Sequence, residues 1–124
     1  MPQKVFTAIW EVQGEVLNGG FSQYFFNFSA ESVSFVVEAL LTIGAHNTAN
    51  VCSRAISAAF PDGLPPTEQE IQSAAEHFPK EVLAKLDPID QEFFSYPDDV
   101  TGLLFNYVSA HPEEFGDLPK PVET

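Results

Sequence analysis

Nearly every apolar run in this chain recurs at three- and four-residue spacing, and no segment sustains the two-residue alternation of a half-buried strand. That property confines the chain to helices. Val5, Ile9, Val12 and Val16, widened by Phe6, Trp10 and Leu17, predict an amphipathic helix over 4–17. Asn18-Gly19-Gly20 ends it, because Asn and Gly enter the left-handed conformation readily. Phe21, Tyr24, Phe25 and Phe28 predict a second, short helix. Ser29 caps a third over 30–43, with Val33, Val36, Val37, Leu40 and Ile43 turned inward and Gly44 as its stop. A fourth over 47–60 buries Val51, Cys52, Ala55, Ile56 and Ala59.

The run Pro61-Asp62-Gly63-Leu64-Pro65-Pro66 is a connection made of turn formers. Beyond it, Thr67-Glu68-Gln69-Glu70 reads as a capping box, in which the Thr hydroxyl and the Glu carboxylate each satisfy an orphan backbone donor. It opens a short helix with Ile71, Ala74 and Ala75 inside, broken at Pro79. Val82, Leu83 and Leu86 continue the apolar face to Asp87-Pro88, which reads as an N-cap and a helix restart carrying Ile89, Phe93 and Phe94. Pro97-Asp98-Asp99 caps the last helix, whose stripe is Val100, Leu103, Leu104, Tyr107 and Val108, and Pro112 stops it. Because neither half alone is long enough to bury its stripes, the expected fold is an all-α, single-domain bundle of about six or seven helices over 1–115, with a flexible tail at 116–124.

Charge then limits what such a bundle can bind. The chain of 124 residues carries 5 bases and 18 acids, a formal charge of −13. So few cations cannot displace the counterions of a phosphate backbone, so nucleic acid is excluded as a direct partner. Anionic membranes repel the protein for the same reason, and no apolar run approaches bilayer length. With 44% hydrophobic residues the chain is nonetheless in the folded regime. The charge is uneven. Residues 1–60 hold Lys4 and Arg54 against Glu11, Glu15, Glu31 and Glu38, a net −2, whereas residues 61–124 hold 3 bases against 14 acids, a net −11. The single Cys52 excludes an internal disulfide and reads as a core residue. The N-terminus lacks the charge and apolar pattern of a secretory signal, so the cytoplasm is the expected location.

Motifs that carry chemistry are absent. There is no phosphate loop, nucleophile elbow or His-Glu-x-x-His pair, and neither a cofactor nor a metal site is expected. His77 and Glu81 have ligand-like spacing, but Pro79 between them breaks the shared helix face. His46 and His111 read as helix-terminus cations interacting with the dipole. Cys52 lacks the basic, exposed setting that a nucleophile needs. With eighteen acids, adjacent carboxylates such as Asp98-Asp99 or Glu113-Glu114 arise by chance, so a catalytic pair is not indicated. A non-enzymatic protein is expected.

The densest local feature is the segment 18–28, in which five of the eight residues from 21 to 28 are aromatic, too many for a soluble surface. Gln23 and Asn27 share a helix face, and Glu15 lies one turn before the Gly-Gly pair and can join them. Either these amides satisfy backbone groups in the turn while the rings fill the core, or they form a polar pocket beside an aromatic floor for a small ligand or a partner side chain. The run Glu15-Val16-Leu17-Asn18-Gly19-Gly20-Phe21-Ser22-Gln23-Tyr24-Phe25-Phe26-Asn27, followed by Ala39-Leu40 and Ile43-Gly44-Ala45, resembles the bacterial DNA-mimic protein family of small, acidic helical proteins. The stretches from Leu86-Asp87 to Tyr96 and from Tyr107-Val108 to Phe115 look similar too. The resemblance implies an all-helical fold in which Glu15, Asn18, Gly19, Gly20, Phe21, Gln23, Tyr24, Phe25 and Asn27 are mainly structural. For the type member, it also implies an acidic face that occupies the DNA-binding surface of a transcription factor.

The expected partner is therefore a basic DNA-binding protein, with a homodimer left open. The candidate contacts are Glu68, Glu70, Glu76, Glu81, Asp87, Asp90, Glu92, Asp98, Asp99, Glu113, Glu114 and Asp117, some of which must instead be helix caps. Two alternatives share the stage: a ligand-binding or enzymatic domain centred on Glu15, Asn18, Gln23 and Asn27, and a neutraliser of a basic toxin or nuclease.

Overall fold

The apolar stripes become six helices in a computed structural model, which describes residues 2–27 and 30–112. They are α1 (Pro2–Asn27), α2 (Ala30–Thr42), α3 (His46–Ala59), α4 (Glu68–Glu76), α5 (Lys80–Phe94) and α6 (Val100–Ser109), with no strand among the described residues. The first helix supplies the axis of the fold. It packs against α2, α4 and α5, while α3 joins α2 to α5 on the far side and α6 touches α1.

Burial follows the predicted periodicity. Val5, Ile9, Val12 and Val16 of α1 are buried, as are Val33, Val36 and Leu40 of α2 and Leu86, Ile89 and Phe93 of α5. Ile71 is the fully buried residue of α4, and burying a side chain of that size contributes about 1.5–3 kcal/mol. Val100 and Leu104 anchor α6 in the same way. Two residues assigned to the core stripe face solvent: Trp10 is 66% exposed and Leu17 is 41% exposed. The four-residue series from Val5 to Val16 already fills the covered face of α1, so the side chains flanking it are left outside. Trp10 covers itself in part by stacking on Phe6, with ring centroids 5.8 Å apart. Leu83 of α5 is likewise turned outward.

Local chemistry sets the end of α2 and the start of α4, but one expected boundary is absent. Gly44 ends α2 with φ +89°, and the Thr67 hydroxyl accepts the Glu70 N–H at 3.2 Å to start α4. The Glu70 carboxylate in turn accepts from that hydroxyl at 3.0 Å, so the pair closes on its own side chains. The expected restart at Asp87-Pro88 does not occur: α5 runs without a break from Lys80 to Phe94 with Pro88 inside it. The inward series Leu86, Ile89 and Phe93 crosses Pro88 in register, so tertiary packing outweighs the missing N–H of the proline. The expected Ser29 cap, Phe28, and the 116–124 tail lie outside the described residues.

Candidate functional site

The Asn-Gly-Gly-Phe segment folds as a kink within α1. Gly20 takes φ 81° and ψ 179°, a conformation open in practice only to glycine, and the residues on either side are helical. A break of this kind creates a new helix N-terminus inside the protein, whose first N–H groups have no partner within the helix. Asp90, reaching in from α5, accepts the Phe21 N–H at 2.9 Å through Oδ1. The approach is close enough that a Cβ on Gly20 would lie 2.6 Å from the other carboxylate oxygen. Burial pushes the Asp90 carboxyl up, the Phe21 N–H pulls it down and the neighbouring Asp87 pushes it up again, leaving it above its ordinary value. A Cβ on Gly19 would collide with the Gln23 side chain, so the two glycines are required for different reasons.

Glu15, Gln23 and Asn27 do meet. One carboxylate oxygen of Glu15 accepts from Gln23 Nε2 at 3.0 Å and from Asn27 Nδ2 at 2.6 Å, which ties the two arms of α1 together across the kink. The amides thus serve a side chain rather than the backbone groups of the turn. Asn18 is exposed at the end of the first arm. Phe21, Tyr24 and Phe25 of the second arm fill the core, whereas Phe26 is turned outward. Phe21 meets Phe93 edge-on at 5.6 Å, Phe25 meets Phe60 at 5.2 Å, and Phe60 meets Phe78 at 5.7 Å. Tyr24 is fully buried, and burial raises its hydroxyl above the ordinary tyrosine value despite an opposing pull from Ser32. Ser32 donates onward to Glu11 Oε1 at 2.6 Å, linking α2 to α1.

The candidate partner-binding acids separate into two groups. Asp90 is the cap just described. Asp98 caps α3 from the α5–α6 connection: its Oδ2 accepts the Thr48 N–H at 2.6 Å and the Thr48 hydroxyl at 2.9 Å, and its Oδ1 accepts from Asn47 at 3.1 Å. Partial burial alone would raise that carboxyl, but these donors outweigh it and hold it below its ordinary value. Asp99 caps α6 through the Gly102 N–H at 3.1 Å. Glu92 is held by Arg54 in a two-pronged salt bridge, and this hydrogen bonding lowers its carboxyl. Glu70 is engaged with Thr67. All five have internal partners, and Asp90, Asp98 and Asp99 act as helix caps, as expected for some of these acids. Glu68, Glu76, Glu81 and Asp87 stand exposed on α4 and α5, with Glu76 3.9 Å from His77 Nε2. Glu113, Glu114 and Asp117 lie outside the described residues.

The remaining candidates resolve plainly. Cys52 is completely buried, and burial pushes its thiol up, away from nucleophilic use. His77 ends α4 while Glu81 opens α5, so the two do not share a helix face. His111 lies 2.8 Å from the Tyr107 carbonyl at the end of α6, as a helix-terminus residue should. His46 is the reverse of its expectation: it is the first residue of α3, at the positive end of the helix dipole. Ordinary sequence logic missed the caps made by Asp90 and Asp98 because their donors are 69 and 50 residues away. One sign was present, since Ala45 at the N-cap of α3 has no side-chain acceptor and the cap had to come from elsewhere.

Among the described residues, no helix is long and apolar enough to cross a membrane. Neither a curated protein nor a solved structure matches the chain. The family described as DMP19-like protein matches residues 1–111, a span that takes in the kinked α1, its Asp90 cap and all six helices, and on that match the chain belongs to the DMP19-like protein family.

Proposed function

We propose that this chain is a non-enzymatic acidic interaction protein, a DNA mimic that occupies the DNA-binding surface of a basic DNA-binding protein. The observation that carries the proposal is the joining of family membership over 1–111 with a net charge of −13 concentrated beyond residue 60. Glu68, Glu76, Glu81 and Asp87, exposed on α4 and α5, support this reading as candidate contacts for the cations of a partner. A potential of this sign steers a basic surface into contact and repels nucleic acid. The Asn-Gly-Gly-Phe segment serves the fold in this account, since its amides are engaged by Glu15 and its rings by the core.

Immobilised full-length protein should retain a DNA-binding protein at about 50 mM salt, release it to duplex DNA more readily than to polyglutamate of equal charge, and lose it at about 300 mM salt. Retention that ignores both salt and DNA would overturn the proposal. Retention of a toxin or nuclease with no transcriptional partner would replace the partner class.

A further inference from the structure

The exposed salt bridge between α3 and α5 has the geometry of a ligand seated on a carboxylate. Arg54 crosses from α3 and places both terminal nitrogens on Glu92, Nη1 on Oε2 at 2.7 Å and Nη2 on Oε1 at 2.6 Å. Its Nε donates to Asn50 Oδ1 at 2.8 Å, one turn back on the same helix, so the guanidinium is oriented as well as attracted. The two side chains are 42% and 49% exposed, and pairs this open to water add little to stability. What the pair does alter is the charge shown to a visitor. One of the five cations in a chain of net charge −13 lies on an acid of the strongly acidic half. A planar guanidinium engaging a carboxylate through two parallel bonds is also the arrangement by which proteins bind arginine in preference to lysine.

Resting on the proposed function above, we propose that Arg54 is a built-in competitor: it occupies Glu92 in the free protein and gives way when an arginine of the basic partner takes the same carboxylate. The partner surface at this point is accordingly one that presents arginine. Arg54 sets the strength of the interaction, because the incoming side chain must replace an existing pair rather than fill an open site. The exchange conserves charge-assisted hydrogen bonds at Glu92 and frees a guanidinium to solvent, so its effect on affinity is modest.

A labelled octa-arginine peptide, with octa-lysine alongside, tests this in about 0.1 M salt by fluorescence anisotropy. Arg54→Ala should tighten octa-arginine binding roughly two- to five-fold, the scale on which exposed ion pairs act. Lys85→Ala makes the same change in net charge at a residue outside the bridge and should gain less. On the unmodified protein, nitrogen-detected magnetic resonance should show the Arg54 guanidinium rotating slowly when free and rapidly at peptide saturation. Equal gains for Arg54→Ala and Lys85→Ala, or an Arg54 that stays hindered at saturation, would overturn the competitor while leaving the proposed function standing. Failure of every form to bind either peptide would overturn both. The helical circular dichroism signal of Arg54→Ala should match the parent, since the bridge lies on the surface.

Discussion

Gly20 is where a single residue decides the shape of the molecule. Its φ of 81° with ψ of 179° belongs to a region that side chains with a Cβ do not enter, and the space a Cβ would need is held by Asp90. Gly20→Ala should therefore cost about 1–3 kcal/mol for the backbone alone, with a further penalty from displacing the Asp90 cap. Gly14 provides the contrast. It lies in the first arm of the same helix, exposed, with nothing near an added Cβ, so Gly14→Ala should stabilise by about 0.5–1 kcal/mol. Urea unfolding of the two variants, read at constant m, checks the pair. A Gly20→Ala midpoint equal to the parent would mean that the kink is not required.

Helix termini show how far the elements depend on residues distant in sequence. The N-terminus of α3 has Ala45 at its cap position, and Asp98 supplies the missing acceptor from across the fold. Asp98→Ala should cost about 1–2 kcal/mol at pH 7, the usual range for losing an N-cap. The folded-state value of this carboxyl is depressed, so its contribution is present above the unfolded value and fades as pH falls through the folded one. The penalty of Asp98→Ala, measured by urea titration, should thus be full above about pH 5 and shrink toward pH 3, whereas Asp98→Asn, which keeps an acceptor oxygen, should show a smaller loss. An equal penalty at both pH values would place the role of Asp98 elsewhere. The same dependence on distance explains what was legible in the sequence. The inward stripes, the break at Gly20, the Thr67 and Asp99 caps and the Glu15–Gln23–Asn27 group could be read because their partners lie within about three turns along the chain or within one element. Pro88 misled because a local helix-breaking rule met a packing register that runs across it. Trp10 misled because periodicity gives the direction of a face but not its width. Asp90 and Glu92 looked like free acids, and Asp98 like part of the α6 cap, because nothing near them in sequence announces Phe21, Arg54 or Thr48.

At the scale of the whole molecule, a charge of −13 acts on stability and on binding in opposite directions, and this separates imitation of nucleic acid from mere solubility. Self-repulsion of a single-sign surface destabilises the folded state and is relieved by salt. Glu76 adds a local penalty, since it is a carboxylate at the C-terminus of α4 where the helix dipole is negative, and Asp87 stands beside the capping Asp90. The double variant Glu76→Gln with Asp87→Asn should therefore be more stable than the parent by roughly 0.5–1 kcal/mol at low ionic strength, and the gain should shrink near 0.5 M salt. Glu38, exposed on α2 in the nearly neutral first half, carries out the control, because Glu38→Gln changes charge without touching α4 or α5. If the acids of the second half serve a basic partner, the double variant should bind it about tenfold more weakly while Glu38→Gln binds within about twofold of the parent, two close ion pairs of about 0.7 kcal/mol each accounting for the difference. If the charge served only solubility, the two variants would follow net charge alone, and each removed carboxylate would weaken a basic partner by the same factor wherever it stood. Affinity and low-salt stability measured on the same preparations decide between these outcomes, because only a placed acidic surface makes the more stable variant the poorer binder at specific positions.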